Sequence, residues 1–506
     1  MISKRNEQIS FFHGVQKMTK SLLLNVLLVV IGVFLLFRAT SDPDFGWHLK
    51  YGEYFFNNHK ILRENIFSYT FSDYKWDNSY WGAEVVMYVL YKYASPIGLS
   101  LILSALLSAS FVGILQKLNV KDFVKILTAI LFFLFVNSGE TSVRPFLFST
   151  IFLLFLIYIL IYKPKFELLL PVLFVIWANT HADFTLGLVI YAIRTMYLLI
   201  ILVKNKELNL KSFFSVVTIP LISLFSTLIN PYGFGLWKVL TNETDYLKFS
   251  YIIEWGTFDS QKTSALSKGT TLIMLSVILA GAAISYILDK KRFGWWYLVS
   301  VAFFFVFSFK SIYFMRIVAT LGIFGVIFSG NYIFSNLFRI NDRFSKIVGI
   351  FTTVFCLMFF AISGQIFAEN LHFAQNIESW SQQQKLPYKA ITYIKQNPVK
   401  GNVFNNYDWG GFLIWQLPQY KTFIDGRMTA WKVGNTRILD DYIKITKDPK
   451  TNAALFNDYV KKYNITFVLD KKNSNLIRYL KKQQWSVIYE DNIASVVTLT
   501  NSSNIE

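Results

Sequence analysis

Charged residues are scarce in this chain of 506 residues. Asp, Glu, Lys and Arg make up 16% of it and hydrophobic residues 54%, whereas soluble domains carry about 25% charged residues. This deficit argues against an ordinary soluble protein and indicates an integral membrane protein. The net charge of +19 alone would also fit a nucleic-acid-binding protein, but Lys and Arg cluster in short segments between apolar runs. We therefore expect membrane lipids, and no nucleic acid, among the partners.

Cysteine is nearly absent, since Cys356 is the only one and lies in an apolar run. The chain therefore has no disulfide framework, and its cysteine content gives no information about the redox compartment. The first apolar run follows a basic N-terminal segment and offers only Ala39 as a small residue for signal-peptide cleavage. We therefore predict that this run is an uncleaved first span.

Long apolar runs are abundant. A helix needs roughly 20 apolar residues to cross the bilayer core, and fewer where flanking residues reach the interface. We predict about eleven spans, with eleven to thirteen compatible with the pattern: 21–38, 98–116, 123–138, 146–162, 167–180, 185–203, 213–230, 270–288, 295–309, 317–334 and 347–367. Residues 81–95 are predicted to form either a twelfth span or an interfacial helix.

The distribution of Lys and Arg predicts the orientation of the spans. With the N-terminus in the cytoplasm, the segments that face inward each contain at least two Lys or Arg: 1–20, 117–125, 163–166, 204–211, 289–293 and 335–346. The long outer loops, 39–83 and 231–268, have a much lower density of these residues. The positive-inside rule therefore favours a cytoplasmic N-terminus, and we predict a protein of the plasma (inner) membrane.

The apolar runs stop after Phe367, so we predict a transmembrane domain over 1–368 and an extracytoplasmic domain over 369–506. Helical spacing occurs in "LPYKAITYIKQN", "ALFNDYVKKYN" and "NLIRYLKKQQ". The patterns of "KTFID", "ITFVLD" and "WSVIYEDNIASVVTL" are typical of strands, the last a hairpin that turns at Asp491 and Asn492. Alternating helices and strands predict a soluble α/β domain.

In this topology, unusual polar residues collect at the outer ends of several spans. They are Asp42, Asp44 and His48 in the first outer loop (39–97), Glu140, Arg144, His181, Asp183, Glu254, Lys310 and Arg316. Charged groups near membrane depth are costly and usually line a cavity or a pathway. We therefore predict one polar chamber that opens outward and is covered by the C-terminal domain.

Each of these residues also has a structural interpretation. Arg144 fits a snorkelling anchor at a span end, His181 fits a packed and hydrogen-bonded residue, and Asp42 fits a helix cap. The coincidence of many such residues on one side favours a functional site. The aromatic residues of the first outer loop fit either stacking on sugars or an aromatic belt: Trp47, Tyr51, Trp76, Tyr80 and Trp81.

The carboxylates of Asp42 and Asp44 are compatible with two kinds of chemistry. Their oxygens suit a hard divalent cation such as Mg²⁺ or Mn²⁺. They equally suit a general base beside a second carboxylate that raises its pKa. Arg144, Lys310 and Arg316 suit a phosphate or pyrophosphate, because Arg offers a planar fork of donors and Lys a point charge.

Several motifs resemble those of large bacterial membrane proteins in the GT-C glycosyltransferase superfamily. The first outer loop has Asp-Pro-Asp at 42–44, then Trp-His-Leu at 47–49 and "NIFSYT". Similar stretches are "VRPFLFS", "NTHADFTLG", "NPYG", "IIEWGTFD", "NVFNNYDWGGFLIWQLP" and "KTFIDGRMTAW". The resemblance covers most of the chain and implies a polytopic α-helical body of GT-C type with a C-terminal soluble α/β domain. By position, Asp42 matches the superfamily's catalytic aspartate best, with Asp44 close behind.

A looser resemblance connects the chain with the catalytic subunit of oligosaccharyltransferase. That enzyme begins its first outer loop with a similar Asp-Pro and carries a Trp-Trp-Asp-Tyr-Gly element in its outer domain. In "NNYDWGGF", Asp408 keeps the acidic residue, but Asn406 and Tyr407 replace the tryptophan pair. Because a clear second Asp-x-Asp is also missing from a later outer loop, the resemblance does not extend to protein glycosylation with sequon recognition.

The resemblance implies an enzyme of cell-envelope glycan biosynthesis, a GT-C type glycosyltransferase. It would move a sugar from a polyprenyl-phosphate-linked donor to a glycan, lipid or protein acceptor on the extracytoplasmic side. We predict Asp42 and Asp44 as catalytic residues and as candidate ligands of a divalent cation. The predicted substrate-binding residues are His48, Arg144, His181, Asp183, Glu254, Lys310 and Arg316. The alternatives are a transporter or flippase of lipid-linked saccharides and a non-catalytic envelope-assembly protein.

Overall fold

The structure is a computed structural model, and it describes residues 21–38, 44–138, 143–238, 257–258, 265–340, 342–429, 431–434 and 436–499. The described residues up to Gln375 are mostly helical. Their helices, numbered α1 to α12, are Ser21–Leu36, Phe45–Asn58, Trp81–Lys117, Asp122–Ser138, Phe146–Tyr162, Leu170–Ala178, Phe184–Lys204, Leu210–Ser226, Ala265–Leu288, Trp295–Lys310, Met315–Ile340 and Asp342–Gln375. A helix suits an apolar stretch in lipid because it satisfies its backbone hydrogen bonds internally.

Five segments of these helices are long and apolar enough to cross a membrane: Trp81–Lys117, Phe184–Lys204, Lys268–Leu288, Ile312–Leu337 and Lys346–Gln375. The helices α1, α5, α8 and α10 are apolar but shorter, with 10–17 residues. A helix of that upper length is about 25 Å long, which is less than a hydrocarbon core of about 30 Å. Each of the eleven predicted stretches overlaps a helix of its own. The chain is therefore a helical membrane protein, and its number of spans stays a prediction.

The helix α3 joins two stretches that the hydropathy pattern separates. It is continuous over 37 residues, but Ser95 has non-helical dihedral angles, with φ 66° and ψ 173°, and marks a kink before Pro96. A proline disfavours the helical conformation of the residue before it. Residues 81–95 thus belong to the first arm of a kinked helix whose second arm contains the predicted span 98–116.

The two ends of α5 carry different kinds of residues. At its far end, Arg292 of the α9–α10 connection lies over the ring of Tyr162. In the adjoining α5–α6 connection, Glu167 makes two hydrogen bonds of 2.6 and 3.1 Å with the guanidinium of Arg194. Arg144 immediately precedes the near end of α5. Arg292 and Glu167 therefore lie at one end of α5, and Arg144 lies with Asp44 of the first outer loop at the opposite end.

The C-terminal residues form a small α/β unit, and α12 runs unbroken across the predicted boundary at 368 as far as Gln375. Its helices, α13 to α18, are Ile377–Gln383, Tyr388–Gln396, Gly410–Gln416, Ile438–Lys447, Ala453–Tyr463 and Asn475–Leu480. Its strands, β1 to β6, are Asn402–Asn405, Lys432–Val433, Thr436–Arg437, Ile465–Lys471, Trp485–Glu490 and Ala494–Leu499. The main sheet has the order β1-β4-β6-β5. Only its β1–β4 pair is parallel, and β5 and β6 form the expected hairpin.

The segment "KTFID" is not a strand of this sheet, so that prediction is wrong. Thr422 forms an isolated bridge with Ser68 of the first outer loop. The N–H of Thr422 donates to the carbonyl of Phe67 at 3.0 Å, and the N–H of Phe423 donates to Asn405 Oδ1 at 2.7 Å. The apolar pattern therefore reflects burial between the first outer loop and the sheet, where side chains rather than a β-ladder satisfy much of the backbone.

The first outer loop and the C-terminal unit share a hydrophobic core. Trp47, Tyr51 and Trp76 are at least nine-tenths buried and belong to one cluster with Ile424 and Trp431. Trp47, Tyr51 and Trp76 are therefore buried core residues. They neither stack on a sugar nor form an aromatic belt at the membrane interface. The shared core fixes the C-terminal unit against the start of α2.

Candidate functional site

Asp44 lies at the N-terminus of α2, where the chain enters the first outer loop. Its Oδ1 accepts a hydrogen bond of 3.0 Å from the indole nitrogen of Trp47, and its Oδ2 lies 3.7 Å from Nη2 of Arg144. The Asp44 side chain is 28% exposed and that of Arg144 is 19% exposed. The two charges therefore form a pair that is partly open to solvent and joins α2 to the start of α5.

The C-terminal unit forms one wall beside Asp44. A side chain on Gly426 would overlap Oδ1 of Asp44, and one on Gly46 would overlap the carbonyl of Gly411. Glycine at 426 thus leaves room for the carboxylate of Asp44, and glycine at 46 allows α2 to touch the backbone of α15. The carboxylate of Asp44 consequently sits at the junction of the bundle and the C-terminal unit.

A buried ion pair holds the turn that contains Gly426. Asp425 Oδ1 accepts from Nε of Arg427 at 2.7 Å, and Oδ2 accepts from Nη2 at 2.8 Å. Nη2 also donates to Asn65 Oδ1 in the first outer loop at 3.1 Å, and the guanidinium packs over the ring of Trp431. Both charged side chains have no exposed surface. This geometry indicates a structural role for the pair.

His48 forms a buried acid–imidazole pair next to Asp44. Its Nδ1 lies 2.7 Å from Oε1 of Glu84, and Nδ2 of Asn78 donates to Oε2 of the same carboxyl at 2.6 Å. Burial, and to a smaller degree the nearby His181, lower the pKa of His48 well below its usual value. His48 is therefore neutral at pH 7. The sequence reasoning missed Glu84, although an acidic residue within an apolar helix was a signal that could have revealed it.

Asp183 is the centre of a second buried cluster, between α6 and α7. Its Oδ1 accepts from the hydroxyl of Tyr313, and its Oδ2 accepts from Nη2 of Arg316 at 3.0 Å and lies 3.3 Å from Nδ1 of His181. Burial alone would raise the pKa of Asp183, but His181 and Arg316 outweigh burial and lower it below its usual value. Asp183 is therefore ionised, and both of its oxygens have partners.

Aromatic contacts connect the two clusters. The ring of Tyr80 lies 5.7 Å from the ring of His48 and 5.2 Å from the ring of His181, measured between centroids. The ring of His48 also packs against Trp47 at 3.6 Å. The acid–imidazole pair and the Asp183 cluster are thus parts of one continuous array.

Arg316 closes this array on the side of Arg144. Its guanidinium lies 4.4 Å from the ring centroid of Phe146, which is two residues beyond Arg144. The structure therefore brings six of the predicted residues into one network of contacts: Asp44, His48, Arg144, His181, Asp183 and Arg316. Tyr80 and Tyr313 complete the network, and the sequence reasoning assigned no polar contact to them.

Among the described residues, Lys310 is the one predicted site residue that stands apart from this network. Lys310 is exposed at the end of α10, with its ammonium 5.8 Å from the ring centroid of Phe307. Within the described ranges, no hydrogen bond or ion pair connects Lys310 with Asp183. Asp42 and Glu254, and also Glu140, lie outside the described residues.

The predicted divalent-cation site would need carboxylate oxygens that are free to bind a metal ion. Of the two candidate ligands, Asp44 faces Arg144, and Asp42 lies outside the described residues. Among the residues that the structure describes, no group of three or more His, Cys, Asp or Glu is placed to hold a metal ion. The described residues alone therefore provide no such group, and the divalent-cation site predicted at Asp42 and Asp44 stays a prediction.

Comparisons with known proteins bear on the fold. No protein-family model matches the sequence, and no curated protein matches it. Among solved structures, the chain is similar to an oligosaccharyltransferase of Archaeoglobus fulgidus, crystallised with a disulfide-tethered acceptor peptide that contains the Asn-Val-Thr sequon. The TM-score is 0.55 at 12% identity, over 89% of this chain and 69% of the other. The chain has the fold of an oligosaccharyltransferase. This supports the expected GT-C-like fold, while membership of the GT-C superfamily and of its bacterial branch stays a prediction.

The segment "NNYDWGGF", on which the looser resemblance to oligosaccharyltransferase rests, begins at the end of β1. Asp408 follows β1, and its Oδ2 lies 2.6 Å from the ammonium of Lys471 at the end of β4. Both side chains are more than half exposed. The neighbouring Asn406 is buried and donates to Asp470 at 2.6 Å. The pair Asp408–Lys471 thus lies on the surface at the ends of two parallel strands.

Proposed function

We propose that the protein is a glycosyltransferase that moves a sugar from a polyprenyl-phosphate-linked donor to an acceptor on the extracytoplasmic side of the membrane. The observation that carries this proposal is the pair of Asp44 and Arg144 at the entrance of the first outer loop. An acidic residue here can take the proton of the acceptor nucleophile or orient it, while the adjacent guanidinium faces the donor phosphate. The oligosaccharyltransferase fold supports the same reading.

The proposed reaction is an inverting displacement at the anomeric carbon of the donor sugar. A bond from the acceptor nucleophile to this carbon forms as the bond from the carbon to the phosphate oxygen breaks. Asp42 takes the proton of the nucleophile or orients it, and Asp44 assists from its position beside Trp47. General-base help of this kind contributes typically about 10²–10⁴-fold to the rate.

The leaving group is a lipid phosphate, whose negative charge grows as the sugar departs. Preorganised donors that face developing charge are among the largest contributions to catalysis. Arg144 is the nearest such group to Asp44, and Arg316 stands behind it across Phe146. Lys310, exposed at the end of α10, offers a further positive charge to the same phosphate. His48 and His181 bind the acceptor or the phosphate, Glu254 belongs to the same substrate-binding set, and Asp183 contributes to that set by holding Arg316.

The two ends of the bundle and the positive-inside rule support the proposed orientation of the protein. The end with Glu167 and Arg292 carries the basic connections, which favour the cytoplasm. The end with Asp44 and the C-terminal unit then faces the extracytoplasmic side of the plasma membrane. A glycan, a lipid or a protein is the acceptor in this proposal, and the donor lipid enters from the bilayer.

A transfer assay with matched variants tests the function. Purified protein in nanodiscs receives a radiolabelled polyprenyl-phosphate sugar, and release of the sugar is measured. We expect Asp42→Asn and Asp44→Asn to lose at least about 10²-fold of the activity. Asp73→Asn is the matched control, because Asp73 lies in the same loop but is exposed. Near-full activity of folded, membrane-inserted Asp42→Asn and Asp44→Asn variants would remove both carboxylates from the mechanism.

The same material separates the enzyme from the two alternatives. A transporter or flippase would move the labelled lipid between leaflets of proteoliposomes without breaking the sugar–phosphate bond. A non-catalytic envelope-assembly protein would do neither. Release of sugar that depends on Asp44 supports the enzyme, whereas leaflet transfer of intact lipid without release would replace it by the transporter.

A further inference from the structure

We propose that the two arginines Arg144 and Arg316 supply the positive charge of this site in place of a divalent metal ion. The inference rests on the proposed glycosyltransferase function and concerns the cation that the reaction uses. It begins from the carboxylates at the site, because Mg²⁺ and Mn²⁺ bind through several oxygen ligands and mainly through carboxylates.

Both carboxylate oxygens of Asp183 already have partners within the protein. One of its oxygens accepts from the hydroxyl of Tyr313, and the other accepts from Arg316 at 3.0 Å beside Nδ1 of His181. The carboxylate is 2% exposed, and the side chain of Arg316 is 12% exposed. A metal ion would have to displace the guanidinium of Arg316 from this buried carboxylate. Asp183 therefore positions Arg316 and does not offer an oxygen to a metal.

Asp44 has a similar arrangement on the other side of the network. Arg144 lies 3.7 Å from one of its oxygens, and the indole of Trp47 donates to the other. Asp44 and Asp183 thus each face an arginine, and the third described carboxylate of the array, Glu84, is paired with His48 and Asn78. A divalent cation at either Asp44 or Asp183 would be repelled by the guanidinium group that already faces that carboxylate.

Arginine is chemically suited to replace a metal ion at a phosphate. The guanidinium keeps its charge at all physiological pH values and presents a planar fork of N–H donors to phosphate oxygens. Arg144 lies directly at Asp44, and Arg316 is fixed by Asp183 with its guanidinium against Phe146. The two arginines are therefore held in place before substrate binds, as preorganised electrostatic stabilisation requires.

Metal binding is measured first, because it does not depend on activity. Chelator-treated protein in nanodiscs is titrated with Mn²⁺, and free Mn²⁺ is followed by electron paramagnetic resonance. We expect no saturable site in the wild-type protein. A single saturable Mn²⁺ site that is lost in Asp42→Asn, Asp44→Asn or Asp183→Asn would overturn the proposal. Asp73→Asn is the control for loss of an exposed carboxylate in the same loop.

Transfer is then measured with and without metal ions. We expect the rate in excess EDTA to stay within about twofold of the rate with Mn²⁺. A rate that disappears in EDTA and returns with Mn²⁺ or Mg²⁺ would overturn the inference and leave the glycosyltransferase function intact. If no transfer occurs under either condition, the proposed function fails and the Mn²⁺ titration alone decides the inference.

Variants of Arg316 test its role as the replacement cation. We expect Arg316→Gln to lose at least about 10²-fold of the transfer rate, as removal of one preorganised donor does in other enzymes. Arg316→Lys keeps the charge beside Asp183 and should recover part of this loss, and added guanidinium should partly rescue Arg316→Gln. Rescue of Arg316→Gln by Mn²⁺ instead of guanidinium would contradict the proposal.

Discussion

The buried ion pair of Asp425 and Arg427 is expected to hold the C-terminal unit against the site, and Arg427→Met tests this. The substitution leaves Asp425 without its two guanidinium hydrogen bonds of 2.7 and 2.8 Å, at a position with no exposed surface. Removing one partner of a buried pair costs about 3–5 kcal/mol. Asp425 retains Thr422 Oγ1 at 3.2 Å and the backbone N–H of residue 427 at 3.1 Å. We therefore expect the lower part of that range.

The assay is thermal unfolding followed by tryptophan fluorescence, because Trp431 is buried against the guanidinium of Arg427 and reports on this region. A loss of about 3 kcal/mol corresponds to a fall in Tm of roughly 10 °C for a unit of this size. The control is Lys389→Met, which breaks an ion pair with Glu378 whose side chains are about half exposed. An exposed pair contributes at most about 1 kcal/mol.

A double variant sharpens the test. Asp425→Asn combined with Arg427→Met removes the uncompensated charge together with the pair, so we expect its Tm to lie above that of Arg427→Met alone. The reasoning would be refuted if Arg427→Met and the exposed control Lys389→Met lowered Tm equally. It would also be refuted if the double variant were as unstable as the sum of its single substitutions.

Two further predictions concern the surroundings of the site. Gly426→Ala should lower the transfer rate at least about 10-fold, because the new methyl group would displace the carboxylate of Asp44; Gly349→Ala, where a methyl meets no atom within 4 Å, should not. The lowered pKa of His48 predicts that stability falls as pH drops below about 6.5, because the unfolded chain then binds a proton that the folded chain does not. His48→Asn should flatten the dependence of Tm on pH between 5 and 8.

The helices of the bundle could be predicted because the membrane imposes a simple rule on sequence. An apolar run in lipid must satisfy its own backbone, so hydropathy and helix coincide in the eleven predicted stretches. The kink at Ser95 was harder to predict from the sequence, because a proline within an apolar run is compatible with two short helices as well as with one bent helix. The number of runs that cross the bilayer depends on tilt and length, which hydropathy alone does not determine.

Part of the site was also accessible from the sequence. Alternating spans place Asp44, Arg144 and Asp183 at the same end of the bundle, and the structure brings them into one network. Glu84 was not predicted as a site residue. It lies within an apolar helix, and its role in the site becomes apparent only from its contact with His48. Pairings between residues so far apart in the chain depend on tertiary packing that no local pattern encodes.

The error at "KTFID" has the same origin. Phe423 and Ile424 are fully buried, as strand residues would be, and the apolar pattern is the same. The backbone partners are Phe67 in the first outer loop and Asn405 in β1, which lie far away in sequence. A segment buried between two surfaces and a strand buried in a sheet therefore have the same pattern of apolar residues in the sequence. The tertiary structure is needed to distinguish them.

The most direct measurement is an experimental structure of the protein with a polyprenyl-phosphate sugar bound in nanodiscs. The account predicts density for the phosphate at hydrogen-bonding distance, about 3 Å, from the guanidinium of Arg144, with the anomeric carbon facing Asp44. Density for the donor on the side of Arg292, or on the C-terminal unit away from Asp44, would contradict it.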